Sequence, residues 1–286
     1  MGLKALGIFR EVENSPNREA DDALLLGAVA EELARAGVPM ALASAEEADA
    51  MSLDGWDLIL PMCESYRRLR RLDSGARGAI VINRPGAVLE TYRSRMLPRL
   101  AATPGVRVPE SERRPTGRTP LDPPGFSAPE GFWIKRGDVH NTVGGRDVVF
   151  APTLAEAENV RGAFASREIS ELVLQRHVEG DRVKFYGGGP GSWLEWFYHN
   201  PRESRRRPFS VVELGRTVAA AAGALGLEIY GGDAVVDEDG SLWVIDVNSW
   251  PSFSRVRRVA ARRIARHVVS RVSQFGVKER IHDDAP

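Results

Sequence analysis

The stretch that most constrains this chain runs from Ile229 to Ser254, IYGGDAVVDEDGSLWVIDVNSWPSFS. It alternates like two short strands, Tyr230 to Val236 and Leu242 to Val247, and Glu238-Asp239-Gly240 between them is a turn signal that closes a hairpin. Asp233 falls on the first strand. Asp246 and Asn248 share one face of the second, because alternate strand residues point the same way. Two carboxylates and an amide oxygen converging from paired strands suit a hard cation such as Mg2+, which takes oxygen ligands and keeps room for phosphate oxygens. An ordinary acidic surface hairpin fits the same pattern, and the rest of the chain has to decide between the two.

With 286 residues, 43% hydrophobic and 27% charged, the chain can bury a substantial core and has the length of one large or two to three small domains. Lys plus Arg and Asp plus Glu are each 39, so no charge excess points to nucleic acid or to a membrane surface. The single cysteine, Cys63, excludes a disulfide framework within the chain and fits a reducing cytoplasm. The first residues hold too short an apolar run for a signal peptide, and no stretch approaches the ~20 apolar residues that span a bilayer. The expectation is a soluble cytoplasmic protein with no nucleic-acid or membrane partner. Zinc-type Cys/His spacing, a Walker loop and a Gly-x-Ser-x-Gly elbow are all absent, which removes several enzyme classes.

From the amino terminus, strand and helix alternate. Ala5 to Phe9, Val38 to Ala43, Trp56 to Pro61 and Ala79 to Asn83 read as strands, and Asp21 to Ala36, stopped by Gly37, and Glu46 to Met51 as helices. This predicts a small parallel sheet with helices on its faces and ligand-binding loops at the carboxyl ends of its strands, around Arg10 to Asn17 and Met62 to Tyr66. Arg67 to Arg71 holds four arginines, readable as a solvated helix face or as a clamp for an anion. Gly86 to Leu100 reads as one helix, and Arg113 to Glu130, rich in Pro, Gly and Arg, as a loop.

Phe132 to Lys135 delivers a lysine from the end of an apolar strand. Before the next strand, Val148 to Ala151, the loop Arg136 to Arg146 carries Gly137, Gly144 and Gly145 around His140, Asn141 and Thr142. Such a loop can fold over a triphosphate with backbone N–H groups on its oxygens while the lysine neutralises charge. Thr153 to Ser166 reads as a helix, with Thr153 and Glu156 placed for a capping box. Glu171 to Val178, Arg182 to Tyr186 and the aromatic Trp193 to Tyr198 read as strands. Asn200 to Arg207, with four arginines, reads as a polar loop, and Pro208 to Leu225 as an Ala-rich helix stopped by Gly226. Phe253 to Val272 reads as a long basic helix packing against the carboxy-terminal domain, and residues after Gly276 as a frayed tail.

The string Gly-x-Asp, a turn, then Val-Ile-Asp-Val-Asn-Ser-x-Pro resembles the metal-binding end of the ATP-grasp superfamily. Val-Ile-Asn-Arg-Pro, a helix, and Gly-Val-x-Val-Pro-Glu-Ser are similar to that family's join of amino-terminal and nucleotide-binding domains. One departure is that members often carry on this helix a lysine that approaches ATP, where this chain offers Arg93 and Arg95. The resemblance covers Val81 to Arg271 and implies an α/β (α+β) ATP-grasp fold with an amino-terminal parallel α/β domain. The division it implies is 1–84 for that domain, 85–168 for a central subdomain with the lysine strand and Gly loop, and 169–286 for a carboxy-terminal subdomain with the hinge and metal hairpin. ATP and Mg2+, or Mn2+, are the implied cofactors. Lys135, Gly144 and Gly145 are then expected on the phosphates. Gln175, Arg176, His177 and Val178 form the adenine hinge, His177 through its backbone. Asp181 meets the ribose hydroxyls, and Lys184 and His140 face phosphate or substrate. Asp233, Asp246 and Asn248 hold the metal.

Most of the superfamily phosphorylates a carboxylate to an acyl phosphate that an amine or thiol attacks. The main expectation is therefore a carboxylate-amine (or thiol) ligase, resembling the ribosomal-protein glutamate ligases, that acts on a small-molecule acceptor as a monomer or homodimer. The alternative is a kinase similar to the inositol polyphosphate 5/6-kinases, phosphorylating a hydroxyl of a polyol phosphate. His140 just beyond Lys135, Asp246 where ligases usually carry Glu, and Lys184 favour it. Its basic pocket would have to come from the clusters Arg67 to Arg71 and Arg202 to Arg207. A nucleotide-binding regulator without turnover is expected to lose metal ligands, and Asp233, Asp246 and Asn248 are all in place.

Overall fold

All four residues of β1 (Ala5–Ile8) are buried, as the apolar string ALGI requires of a strand covered on both faces. It pairs in parallel with β2 (Met40–Ala43) and β3 (Leu58–Pro61), and β3 pairs with β4 (Ile80–Val81), giving the order β2-β1-β3-β4. The structure, a computed structural model, describes residues 3–15, 19–117, 119–139 and 146–283, with the side chains of all of these except 19 and 275–283. Contacts divide the chain into two units, Met1–Gly86 with Trp250–Pro286, and Ala87–Ser249. Among the described residues no helix is long and apolar enough to cross a membrane.

In the first unit, α1 (Glu19–Arg35) buries Leu25, Leu26, Val29 and Leu33, and α8 (Arg257–Asp283) packs along it, with Arg257 paired to Asp21. This corrects two expectations for the terminal helix. It belongs with the amino-terminal sheet, and it continues past Gly276 to Asp283. Helix α2 (Ala45–Ala50) opens with a complete capping box: Glu47 N donates to Ser44 Oγ at 3.0 Å, and Ser44 N to Glu47 Oε2 at 2.7 Å. The arginines of α3 (Tyr66–Gly75) are engaged locally. Arg67 and Arg68 pair with Asp49, Arg68 also with Glu46, Arg70 with Asp73, and Arg71 donates to Met51 O.

The carboxyl ends of β1 and β3, expected to receive a ligand, carry a buried ionic lock. Arg10 pairs with Asp22 at 3.0 Å and with Glu64, and donates to Trp250 O at 2.6 Å. The fully buried Glu11 carboxylate accepts from Glu64 N at 2.9 Å and Ser65 N at 3.1 Å. Cys63 is buried here too; burial, with Glu11 beside it, pushes its thiol pKa up.

The second unit holds two antiparallel sheets. One, in the order β5-β8-β6-β7, contains β5 (Ser111–Pro115), β6 (Phe132–Arg136), β7 (Val148–Ala151) and β8 (Glu171–Arg176), and packs Phe132, Ile134, Leu172 and Leu174 against Ala157 and Phe164 of α6 (Leu154–Ser166). The other, β10-β9-β11-β12, contains β9 (Asp181–Gly188), β10 (Trp193–Tyr198), β11 (Ile229–Val236) and β12 (Leu242–Ser249). Its inner face joins Val183, Phe185, Val244 and Val247 to Leu214 and Val218 of α7 (Val211–Leu225). Thr153 Oγ1 caps α6 from Glu156 N, but Glu156 turns its carboxylate to the Thr153 hydroxyl at 3.1 Å, so only half of the expected box forms. Ser210 caps α7, and Gly226, at φ +74°, ends it in the left-handed region as a glycine can.

Two further expectations change. The single helix over Gly86 to Leu100 is broken into α4 (Pro85–Leu89) and α5 (Arg93–Ala101), because Tyr92 is extended at φ −57°, ψ 127° and Ser94 N donates outward to Gly137 O at 2.8 Å. The loop expected over Arg113 to Glu130 contains the end of β5, which pairs with β8 from Ser111↔Gln175 to Pro115↔Glu171. As an edge strand it tolerates Pro115 at its end and needs no apolar alternation.

Glycine is obligatory at one point of the second sheet. A Cβ on Gly232 would lie 2.1 Å from Asp246 O and 2.6 Å from the Phe185 ring, so it could be fitted only by opening β11 from β12. Gly27, on α1, has nothing within 4 Å. Urea denaturation should therefore show Gly232→Ala losing more than about 2 kcal/mol, while Gly27→Ala gains about 0.5–1 kcal/mol from helix propensity.

Candidate functional site

The hairpin forms as its alternation requires, with β11 and β12 antiparallel and Asp233 directly opposite Asp246. On the other side of β11, Asp233 lies opposite Lys184 of β9, so Lys184, Asp233 and Asp246 form one row across three strands. Val183, Phe185, Ala234 and Val244 point to the core, leaving this row on the opposite face. The register between β11 and β12 slips at Asp233/Ala234: Ala234 pairs with Val244, and Ile245 is the extra residue of a β-bulge. A bulged residue frees its backbone from the ladder. Here Ile245 O accepts from the Lys135 ammonium at 2.9 Å, so a lysine at the end of β6 is aimed at the backbone between Val244 and Asp246.

Three cations surround the two carboxylates. Lys184 Nζ is 3.0 Å from Asp233 Oδ2, Arg93 Nη2 is 3.3 Å from Asp246 Oδ2, and Lys135 is 5% exposed beside both. Arg93 is 1% exposed and is the first residue of α5, where the positive end of the helix dipole disfavours a cation; Asp246 offsets that cost. The break at Tyr92 is what places this guanidinium, and with one continuous helix Arg93 would sit in mid-helix. Burial pulls the Lys135 pKa down from 10.5 to about 8. Asp246 and Asp233 resist the shift, while Arg93 and Arg182 add to it.

A divalent cation fits this donor set. Asp233 Oδ1 and Asn248 Oδ1 are buried acceptors with no hydrogen-bond donor, and a hard oxygen-liganded cation would satisfy both. Asn248 lies two residues beyond Asp246 on β12, opposite Gly231, whose missing side chain leaves that row open. No group of three or more His, Cys, Asp or Glu is arranged for a metal among the described residues; the set is two aspartates and an asparagine.

Around the expected hinge, Gln175 is 1% exposed and donates to Ser111 Oγ at 3.1 Å, tying β8 to β5. Arg176 pairs with Glu110 and lies over the Trp243 ring, 5.3 Å from its centroid. Arg176, His177, Val178, Glu179, Asp237 and Trp243 line a cavity of about 640 Å³. Trp133 Nε1 donates to His177 Nδ1 at 3.1 Å, and Phe150 lies 5.2 Å from the Trp133 ring and 5.4 Å from His177, so three rings form one wall. Asp181, expected on ribose, spends its carboxylate on Arg205 N at 2.9 Å and Arg207 N at 2.7 Å. Burial would raise its pKa, but these bonds take it below the usual value. That contact fixes the Arg202 to Arg207 loop. His140, Gly144 and Gly145 lie outside the described residues.

No protein-family description matches the sequence, and neither does any characterised protein. The fold matches solved structures. A D-alanine–D-alanine ligase from Bacillus anthracis complexed with ATP superposes with a TM-score of 0.62 at 12% identity, over 90% of this chain and 89% of that one. A second structure of that ligase, also from Bacillus anthracis, gives 0.63 at 12%, over 99% and 100%. The D-cycloserine synthetase DcsG gives 0.65 at 17%, over 94% and 100%. The chain has the ATP-grasp fold. At these identities the likeness is one of architecture.

Sequence reasoning found Lys135, Lys184, Asp233, Asp246 and Asn248, which the structure brings together. It missed the Ile245 bulge and the aromatic wall. The wall had a signal: Trp133 lies two residues before Lys135, hence on the same strand face.

The Lys135 shift sets a pH dependence. Below about pH 8 the folded protein carries the full cost of a buried ammonium; between about 8 and 10.5 it has shed a proton that the unfolded chain still holds, so stability attributable to this residue rises with pH. Lys135→Met removes that dependence. Its stability relative to wild type should therefore fall by on the order of 3 kcal/mol between pH 7 and pH 10.5 in matched urea titrations; a constant difference would mean that Lys135 is not shifted.

Proposed function

We propose that this protein is an ATP- and Mg2+-dependent ligase that activates a carboxylate of a small-molecule acceptor as an acyl phosphate for attack by an amine or thiol. The observation that carries the reading is the row Lys184–Asp233–Asp246, closed by Lys135 and Arg93 within an ATP-grasp fold. The reaction needs positive charge where a phosphoryl group leaves ADP and where oxyanion charge develops on the acyl carbon. Lys135 is held by Ile245 O with two ammonium protons left for phosphate oxygens. Lys184 adds positive charge from the opposite sheet, and Arg93 from the start of α5, where its Nη1 also donates to Arg136 O at 3.4 Å. Asp233, Asp246 and Asn248 would hold the divalent cation, which when bound neutralises phosphate charge.

In this scheme the acceptor carboxylate oxygen bonds to the γ-phosphorus as the bond to ADP breaks. The neutral amine then bonds to the acyl carbon, phosphate leaves with the C–O bonding pair, and the amine's proton passes to solvent. The mutually inclined rings of Trp133, Phe150 and His177 supply aromatic surface for a base, with Trp133 on the same strand face as Lys135. Of the arginines of α3, Arg68 is held by Asp49 and Glu46 and Arg71 by Met51 O, which weighs against a basic clamp of the kind a polyphosphate kinase needs; Arg67 and Arg70 make only exposed pairs.

The test is ATP consumption with Mg2+ against two acceptor pools, amino acids and small peptides with hydroxylamine in one, inositol phosphates in the other, with products read by mass. Hydroxamate or a condensed product formed with ADP is expected. A phosphorylated polyol without hydroxamate would replace the ligase with a kinase. Asp246→Asn should keep the circular dichroism of the wild type and lower turnover at least 100-fold; unchanged turnover would refute the metal assignment.

A further inference from the structure

At the row on β9, β11 and β12, Asp233 and Asp246 contribute two negative charges and Lys184, Lys135 and Arg93 three positive ones, and Arg182, two residues before Lys184 on β9, adds further positive potential at Lys135. Each carboxylate already has a cation on one oxygen: Lys184 on Asp233 Oδ2 at 3.0 Å, and Arg93 on Asp246 Oδ2 at 3.3 Å. Lys135 and Arg93 are almost wholly buried, so water screens this cluster poorly. A bare divalent cation entering beside Asp233 Oδ1 and Asn248 Oδ1 would find acceptor oxygens but also a site with an excess of positive charge. A phosphate chain entering with it reverses the sign of the sum and gives the three cations new partners.

We infer that Lys184 and Arg93 act as resident counter-ions that exclude a bare divalent cation and admit it only together with phosphate, which makes metal and phosphate binding interdependent at this site. The inference rests on the metal assignment of the proposed function and adds an order to it. The coupling is reciprocal, so whatever factor phosphate contributes to metal affinity, metal contributes to phosphate affinity. It also gives Lys184 two successive partners, Asp233 without ligand and a phosphate oxygen with it. A lysine tolerates that exchange better than a bidentate arginine, because its ammonium is a point charge on a flexible stem. For Arg93, whose rigid fork is buried, the expected change is smaller, with Nη2 sharing rather than leaving Asp246.

The experiment is Mn2+ binding followed by the loss of the free-ion paramagnetic resonance signal, on the full chain, with and without a non-hydrolysable ATP analogue. Wild type should bind Mn2+ alone at least 100-fold more weakly than in the presence of the analogue, after allowance for Mn2+ held by free analogue. Lys184→Met should bind Mn2+ alone at least tenfold more tightly than wild type and the analogue more weakly. Lys184→Arg, which keeps a cation within reach of Asp233, should stay like wild type towards Mn2+ alone. Arg93→Lys, which keeps the charge but shortens the contact with Asp246, should gain less than Lys184→Met. Equal Mn2+ affinity in wild type and Lys184→Met, with analogue-dependent binding intact, would overturn the counter-ion role and leave the ligase reading standing. Absence of Mn2+ binding in every variant and condition would overturn both.

Discussion

Two aspartates directly opposite each other on neighbouring strands are the constraint from which the rest of the site follows. Like charges in that position destabilise a sheet, and half-burial removes the water that would screen them. The chain answers with cations brought from three different elements: Lys184 from the next strand, Arg93 from the first turn of α5, and Lys135 from the other sheet. None of these is a local contact in sequence, so the site can exist only when the whole unit from Ala87 to Ser249 is folded. A polar cluster with that property has a large stake in being fully paired, since any cation removed leaves a carboxylate uncompensated.

The backbone is shaped to the same end. The bulge at Ile245 costs a ladder hydrogen bond and returns a carbonyl that anchors Lys135, so the ammonium is positioned by main chain and keeps its remaining protons. Gly232 allows β12 to approach closely enough for that register. The extended Tyr92 ends α4 and starts α5 with Arg93, turning what would have been one helix into a device for delivering a charge. In each case a local irregularity, unfavourable by itself, sits within a few residues of the ionic row. Irregularities that each deliver a charge or a carbonyl to one row are what a site is built from.

Much of this was legible in the sequence, for physical reasons that also mark where legibility ended. The hairpin was readable because its signal is local: alternation, a turn and oxygen-bearing side chains on one face. The parallel sheet was readable because β1 to β3 are short apolar runs between helices with clear stops, such as Gly37. By contrast, β5 is an edge strand with polar residues and a terminal proline, and its pairing with β8 is decided some 60 residues away, so SERRP looked like loop. The α4–α5 break was hidden because nothing in Glu90-Thr91-Tyr92 forbids helix; the outward bond of Ser94 N to Gly137 O decides it. The bulge was invisible for the same reason, since register is a property of two strands. For Asp181 the order of motifs suggested ribose, and what the sequence did not show is that a loop 24 to 26 residues further on donates to both its oxygens.

The aromatic wall completes the argument from strand geometry. Trp133 and Lys135 are two residues apart on β6, hence on one face and roughly 6.6 Å apart along the strand. The Trp133 N–H donates to His177 Nδ1 and holds that ring against Trp133 and Phe150. The same contact links β6 to the segment that follows β8, so the end of the sheet bearing the rings cannot move independently of the strand bearing the lysine. An inclined cluster of rings and a buried ammonium are thereby held at a fixed spacing by one strand.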